Sequence, residues 1–264
     1  MKAAKLFLNM ANGAINLGLT LVMLLVMLYS GYALWDNNRV YAEAVNVQAE
    51  MLALKPTPET DEEDASPGFT ELLSINSDVC AWIEVNNTKI DFPVLQGESN
   101  LSYINRDIYG NFALAGSIFL DSRNHRDFSD PFSLLYGHHM AKSNMFGDLD
   151  LFLDKDFYEQ NRSGTLLLPD GACKLEIFSV MQIPASEKAI FDPQEYTGES
   201  IGSLLDFAEK NSMYYDSDVI SKMVNSKDLI QIMGLSTCSS EFTDARTVVL
   251  AVMQPISAIK EDNL

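Results

Sequence analysis

The sequence predicts a mainly β domain tethered behind a single membrane-spanning helix. Three observations carry that prediction. Residues 7–35 contain no Asp, Glu, Lys or Arg. Beyond an acidic, proline-bearing stretch the chain becomes a series of short apolar runs punctuated by turn residues. Two of those runs, residues 229–235 (LIQIMGL) and 247–253 (TVVLAVM), are apolar almost throughout and are joined by a short polar piece. A strand with one wet face alternates; apolar continuity points to strands covered on both faces, as in a closed barrel or a covered sheet.

Taken in order, residues 13–35 are long enough to cross about 30 Å of hydrocarbon as a helix. A cleaved signal peptide would carry an apolar core of about 7 to 15 residues followed by a small-x-small site, and neither condition is met. Lys2 and Lys5 precede the span and only Arg39 follows it closely, so the positive-inside rule assigns residues 1–12 to the cytoplasm and everything after Trp35 to the outside. Residues 36–54 keep helix-forming composition, with Val40, Ala44, Val47, Met51 and Leu54 at steps of three and four, and read as a helical stalk. Its apolar stripe can face the membrane surface, the domain or a second copy. Residues 55–68 (KPTPETDEEDASPG) combine three prolines and five acidic residues with no large apolar side chain, the composition of an extended linker. Residues 69–264 then form the folded domain, long enough for one sizeable core.

Within that domain a short helix is predicted over 69–76. Strands over 79–85 and 88–96 form a hairpin around Asn86-Asn87, a pair tolerant of positive φ. Further strands fall at 116–121 and 131–137, separated by the polar loop SRNHRDFSD, and at 165–168 and 172–183, flanking Pro169-Asp170-Gly171. Helical spacing recurs over 144–153, 156–161 and 199–210.

A net charge of −19 excludes a basic surface for nucleic acid. Of three cysteines at least one stays unpaired within the chain. Cys80 and Cys173 lie in strand-like segments and read as packed thiols, with a disulfide between them left open. Cys238 ends a strand at a polar tip. Arg246 begins the neighbouring one, and a hairpin pairing would bring its cation to the sulfur, where it favours the nucleophilic thiolate. The plainer alternative is a small buried Cys and a surface Arg. Of three histidines, His125 sits in the polar loop, while His138 and His139 follow the run LLYG and so end a strand as Cys238 does. Cys and His suffice for acyl transfer: sulfur attacks a carbonyl, imidazolium protonates the leaving amine, and a cation or backbone N–H steadies the oxyanion. No C-x-x-C or H-x-x-x-H spacing suits a metal, and no glycine-rich phosphate loop occurs, so neither metal nor cofactor is expected.

The motifs LSTC with Arg246 after it, YGHHM followed by SNMFGDL, DFPVLQGESNLSYI and GSIFLD, behind a single N-terminal span, resemble the sortase family and are most similar to class B. The resemblance implies a closed eight-stranded β-barrel with peripheral helices, anchored in the membrane of a Gram-positive bacterium. It implies a cysteine transpeptidase with Cys238 as nucleophile, His138 as general acid and base, and Arg246 orienting the carbonyl of a sorting signal and stabilising its oxyanion. His138 rather than His139 follows the glycine of the family's Y-G-H motif. Asn100, Ile104 and Ser236 match positions that help hold the sorting peptide. The implied partners are surface proteins or pilins bearing a sorting motif, and an amine on a cell-wall precursor or a pilin lysine. Two positions depart from the pattern: Gly234 stands where Thr is usual, and His139 where class B often has Asn. A hydrolytic cysteine peptidase and a non-enzymatic membrane-tethered assembly module are the alternative functions.

Overall fold

The computed structural model describes residues 2–57, 67–140, 144–226, 230–238 and 245–256. They form two units, Met1–Glu43 and Ala44–Leu264. The first is most of helix α1 (Lys2–Leu52). From Leu6 to Trp35 its large apolar side chains stand exposed, and an 18-residue window has mean hydropathy 2.0 with none of it buried in protein. A helix apolar all round with nothing to pack on is suited to lipid, and this one supplies a single membrane anchor.

The second unit opens with the last turns of α1. There Met51 is only 2% exposed and Val47 and Leu54 pack against the core. Gln48 Nε2 donates to Lys89 O at 2.9 Å, Tyr109 Oη donates to Glu50 Oε2 at 2.7 Å, and Lys55 Nζ bridges Glu84 and Asp91. Of the three surfaces open to the stalk's stripe, residues 44–54 take the domain. Residues 58–66 of the acidic stretch lie outside the described residues; helix α2 (Pro67–Ile75) follows, burying Phe69 and Leu72 in the same core.

The strands are β1 (Val79–Val85), β2 (Asp91–Leu95), β3 (Ile118–Leu120), β4 (Phe132–Met140), β5 (Asn144–Met145), β6 (Ser163–Leu168), β7 (Gly171–Pro184), β8 (Tyr214–Tyr215), β9 (Ile232–Cys238) and β10 (Ala245–Pro255). Helices α3 (Lys155–Gln160), α4 (Lys188–Phe191), α5 (Ile201–Asn211) and α6 (Ser217–Ser226), with 3₁₀ turns at Gly147–Leu153 and Pro193–Glu195, lie between them. The wall runs β10-β9-β4-β3-β2-β1-β6-β7, and β7 pairs with β10 to close it. The result is an eight-stranded barrel to which β5 and β8 are short additions. Closure leaves no free edge in the wall and explains why β9 and β10 are apolar on both faces: Phe132, Leu134, Phe178, Val248 and Leu250 join one core cluster, packed with α1, α2, α5 and α6.

Two pairings are parallel, β2 with β3 and β4 with β9. The second brings the far ends of β4 and β9 to the same end of the barrel. Cys80 on β1 and Cys173 on β7 are both free, and β6 lies between their strands. Two strand spacings, roughly 9.5 Å, exceed the reach of a disulfide. Burial pushes the Cys80 thiol up to about 12 and raises that of Cys173, so both are inert packing groups.

The helix expected over 144–153 is instead β5 followed by a 3₁₀ turn. Met145 sits at φ 52°, outside the helical region, so the helix cannot begin where its apolar spacing starts. Strand β4 continues past residue 137 through both histidines because β9 and β5 flank it to its end.

Candidate active site

The backbone of β4 and β9 dictates the site. Their parallel ladder pairs residues from Phe132 with Ile232 through to His138 with Cys238, setting the last two abreast on neighbouring strands. On the other side of β9 the antiparallel ladder with β10 pairs Ser236 with Val248; carried two residues further, the same register sets Arg246 opposite Cys238. Thr247 N donates to Thr237 Oγ1 at 3.1 Å, and Arg246 Nη1 donates to Thr237 O at 3.4 Å, which ties the two strand ends together. Cys238 is thus flanked along the barrel rim by an imidazole-bearing and a guanidinium-bearing residue.

Two glycines make this wall possible. A Cβ on Gly137 would come within 2.4 Å of Ile118 Cδ1 and 2.7 Å of Phe146 Cγ, so the residue before His138 must be bare for Phe146 to pack beneath it. At Gly234, where the resembled family has Thr, a Cβ would meet Leu134 Cδ1 at 2.9 Å and Phe132 Cε2 at 3.0 Å. Large side chains on β4 fill the volume that a side chain on β9 would otherwise take, so this departure is a matter of packing.

His138 is half-buried, and that burial pushes its imidazole below the ordinary value. Strand alternation sends His139 to the opposite face, where its Nε2 lies 2.8 Å from Asp150 Oδ2 in the 3₁₀ turn after β5. Asp150 Oδ1 in turn accepts from Thr247 Oγ1 at 2.6 Å. One carboxylate therefore links β4 to β10 immediately behind His138 and Arg246.

The Arg246 Nε is buried and has no hydrogen-bond partner among the described residues. A buried guanidinium donor left open costs free energy unless a ligand takes it, and here it sits beside the candidate nucleophile.

Asn100 does not stand alone in the loop after β2. Its Nδ2 donates to Asp121 Oδ2 at 2.9 Å and its Oδ1 accepts from Ser122 N at 2.7 Å. Asp121 is fully buried. Burial raises its carboxyl, but hydrogen bonds from Arg123 and Asn100 outweigh that and hold it below the ordinary carboxylate value. Tyr136 Oη reaches the same carboxylate at 3.1 Å, connecting Asn100 to β4 two residues before His138. Ile104 is half-buried in the same loop, and Ser236 is buried in β9 with its Oγ donating to Thr237 O. Among the described residues no group of three or more His, Cys, Asp or Glu is placed to hold a metal.

Sequence reasoning did not single out Asp121, Arg123, Asp150 or Phe191. The pair Asp121 and Arg123, opposite charges two residues apart directly after an apolar strand, was the one available signal.

No family model matches the chain. Sortase B of Staphylococcus aureus (strain NCTC 8325 / PS 47) is 31% identical to it over 198 residues, which is 74% of this chain and 78% of that protein. The chain belongs to the sortase B family. Sortase B of Listeria monocytogenes serovar 1/2a is 30% identical over 233 residues, covering 84% of this chain and 89% of that one. Among solved structures, the S. aureus sortase B–substrate complex has a TM-score of 0.69 at 28% identity, covering 84% of this chain and 99% of its own. A Streptococcus pyogenes class B sortase involved in pilus biogenesis has a TM-score of 0.61 at 36% identity over 70% of this chain and 97% of its own. Both share the closed barrel with peripheral helices. Sortase B proteins are cysteine transpeptidases, and this chain carries the family's barrel with Cys, His and Arg on adjoining strands at one end of it.

Proposed function

We propose that this protein cleaves a C-terminal sorting motif at a Thr-Gly or Thr-Asn type bond and passes the acyl group to an amine. Cys238 gives its proton to His138 and attacks the threonine carbonyl. The tetrahedral oxyanion takes hydrogen bonds from Arg246, whose buried Nε has no hydrogen-bond partner among the described residues and so keeps a donor to give. His138 then protonates the leaving amine as the C–N bond breaks, leaving a thioester on Cys238. An acceptor amine attacks that thioester and loses its proton to His138; the C–S bond breaks, His138 returns the proton to the Cys238 sulfur, and the acyl group leaves with a new amide bond. A buried imidazole serves both halves, because a lowered pKa keeps it a neutral base at rest and makes its imidazolium a stronger acid. Asn100 and Ile104 line the path of the sorting peptide, Asn100 tied to the Asp121 network, while the buried Ser236 backs that path from within β9.

The observation that carries this reading is the register that sets Cys238 between His138 and Arg246. The substrates are surface proteins or pilins with a sorting motif, and the acceptor is a cell-wall peptide amine or a pilin lysine. The lysines before the span support, by the positive-inside rule, an N-terminus in the cytoplasm and a domain outside the cell.

The test uses the full-length protein in detergent micelles with internally quenched peptides bearing Thr-Gly and Thr-Asn bonds. Added triglycine or a lysine amine should divert the product from free acid to amide. Release of free acid alone, unaffected by either amine, would make the protein a hydrolase.

A further inference from the structure

We infer that Phe191 is a positioning residue for Arg246: its ring is the platform on which the guanidinium is held in the orientation that aims Nε at the substrate. The inference rests on the role proposed above for Arg246 and adds to it a residue from outside the barrel wall.

Arg246 Cζ lies 5.2 Å from the Phe191 ring centroid, within the range of a cation–π contact. The only hydrogen bond of the guanidinium to a described residue is the long one from Nη1 to Thr237 O, at 3.4 Å. No carboxylate pairs with it among the described residues, in contrast to Arg123 and Arg162, each of which has an Asp. Among the described residues the other hold on the guanidinium is this ring, and a ring face fixes the plane of a guanidinium while leaving its edge donors open for a carbonyl. An Asp in the same place would steady the cation but would occupy those donors and offset the charge that the oxyanion needs.

Phe191 is itself fixed, which a platform must be. Its N donates to Glu187 O at 3.0 Å, and its O accepts from Arg123 Nη2 at 2.7 Å. Arg123 Nη1 also donates to Asp192 Oδ1 at 2.9 Å, and Asp121 grips the Arg123 guanidinium through Nε and Nη2. The Phe191 ring stacks on Tyr136 with centroids 6.4 Å apart and planes 19° apart, and Tyr136 is hydrogen-bonded to Asp121. The fully buried Asp121 thus fixes the end of α4 through Arg123 and the ring's neighbour through Tyr136. The chain of contacts runs from Asn100 in the loop after β2, through Asp121 and Arg123, to Phe191 and then Arg246.

The test compares full-length wild type in micelles with Phe191→Leu, which keeps apolar bulk and loses the π face, and Phe191→Tyr, which keeps the face. In arginine-labelled protein the Arg246 Nε–H resonance is the one that Arg246→Lys removes. Phe191→Leu should move that resonance downfield out of the ring current and lower kcat/KM roughly 3- to 30-fold, the span a cation–π contact supplies. Phe191→Tyr should keep both. An Nε–H resonance unmoved in Phe191→Leu, an unchanged rate, or equal damage from Leu and Tyr would each overturn the platform. If wild type cleaves no peptide, the proposed activity fails, while the resonance still decides whether the ring holds the guanidinium.

Discussion

At the scale of single residues, the site depends on which way each side chain leaves its strand. His138 and His139 are adjacent in sequence but serve different neighbours: His139 is held by Asp150, while the His138 backbone is abreast of Cys238. His138→Ala should lower kcat by several orders of magnitude. His139→Ala should spare most of it and cost about 1 kcal/mol or less, since the His139–Asp150 pair is about a third exposed. The reverse ranking of rates would exchange the two roles. His138 also predicts a pH effect. Its folded pKa lies below the ordinary 6.5, so the unfolded chain takes up the proton first as pH falls; the stability present above 6.5 is lost below it. Wild type should therefore lose more stability to urea between pH 7.5 and 5.5 than His138→Gln does, and equal losses would contradict a buried, neutral imidazole. Cys238, His138 and Arg246 were picked out as candidates because reactive residue types stand at the ends of apolar runs. Asp150 and Phe191 were not, because each reaches the site from a short turn or helix whose own sequence has no reactive signature and whose partner is far along the chain.

At the scale of elements, the final turns of α1 belong to the second unit, with the barrel. Removing residues 1–43 should leave the stability of the domain unchanged, whereas removing 1–54 also deletes the buried Met51, the Gln48 and Glu50 hydrogen bonds and most of a helix face. The Met51 side chain alone is worth about 2 to 5 kcal/mol by analogy with other buried large-to-alanine changes. Equal urea midpoints for the two truncations would contradict the packing. The stripe of Val47, Met51 and Leu54 was visible in the sequence; what it faced was not, since helical periodicity states that a face is apolar and not what covers it. The same limit explains the 3₁₀ turn read as helix: apolar spacing over 144–153 was real, but the positive φ at Met145 is a tertiary demand.

At the scale of the whole molecule, the hairpin of β9 and β10 and the continuous apolar runs pointed to a covered or closed sheet, and the pairing of β7 with β10 closes it. The parallel neighbour of β9 could not be read locally, because β4 precedes it by about a hundred residues and no turn connects them. Yet that crossover is what brings His138 to Cys238. Topology across the membrane makes its own prediction: protease added to intact protoplasts should digest the domain, and complete protection would reverse the orientation drawn from Lys2 and Lys5. The central claim is that Cys238 carries the acyl group. Intact-mass measurement of the full-length protein, quenched in acid during turnover of a Thr-Asn or Thr-Gly peptide, should show one acyl adduct. That adduct should map to the peptide containing Cys238, discharge when an amine is added, and be absent from Cys238→Ala. Peptide turnover by Cys238→Ala, or an adduct at Cys80 or Cys173, would contradict the account.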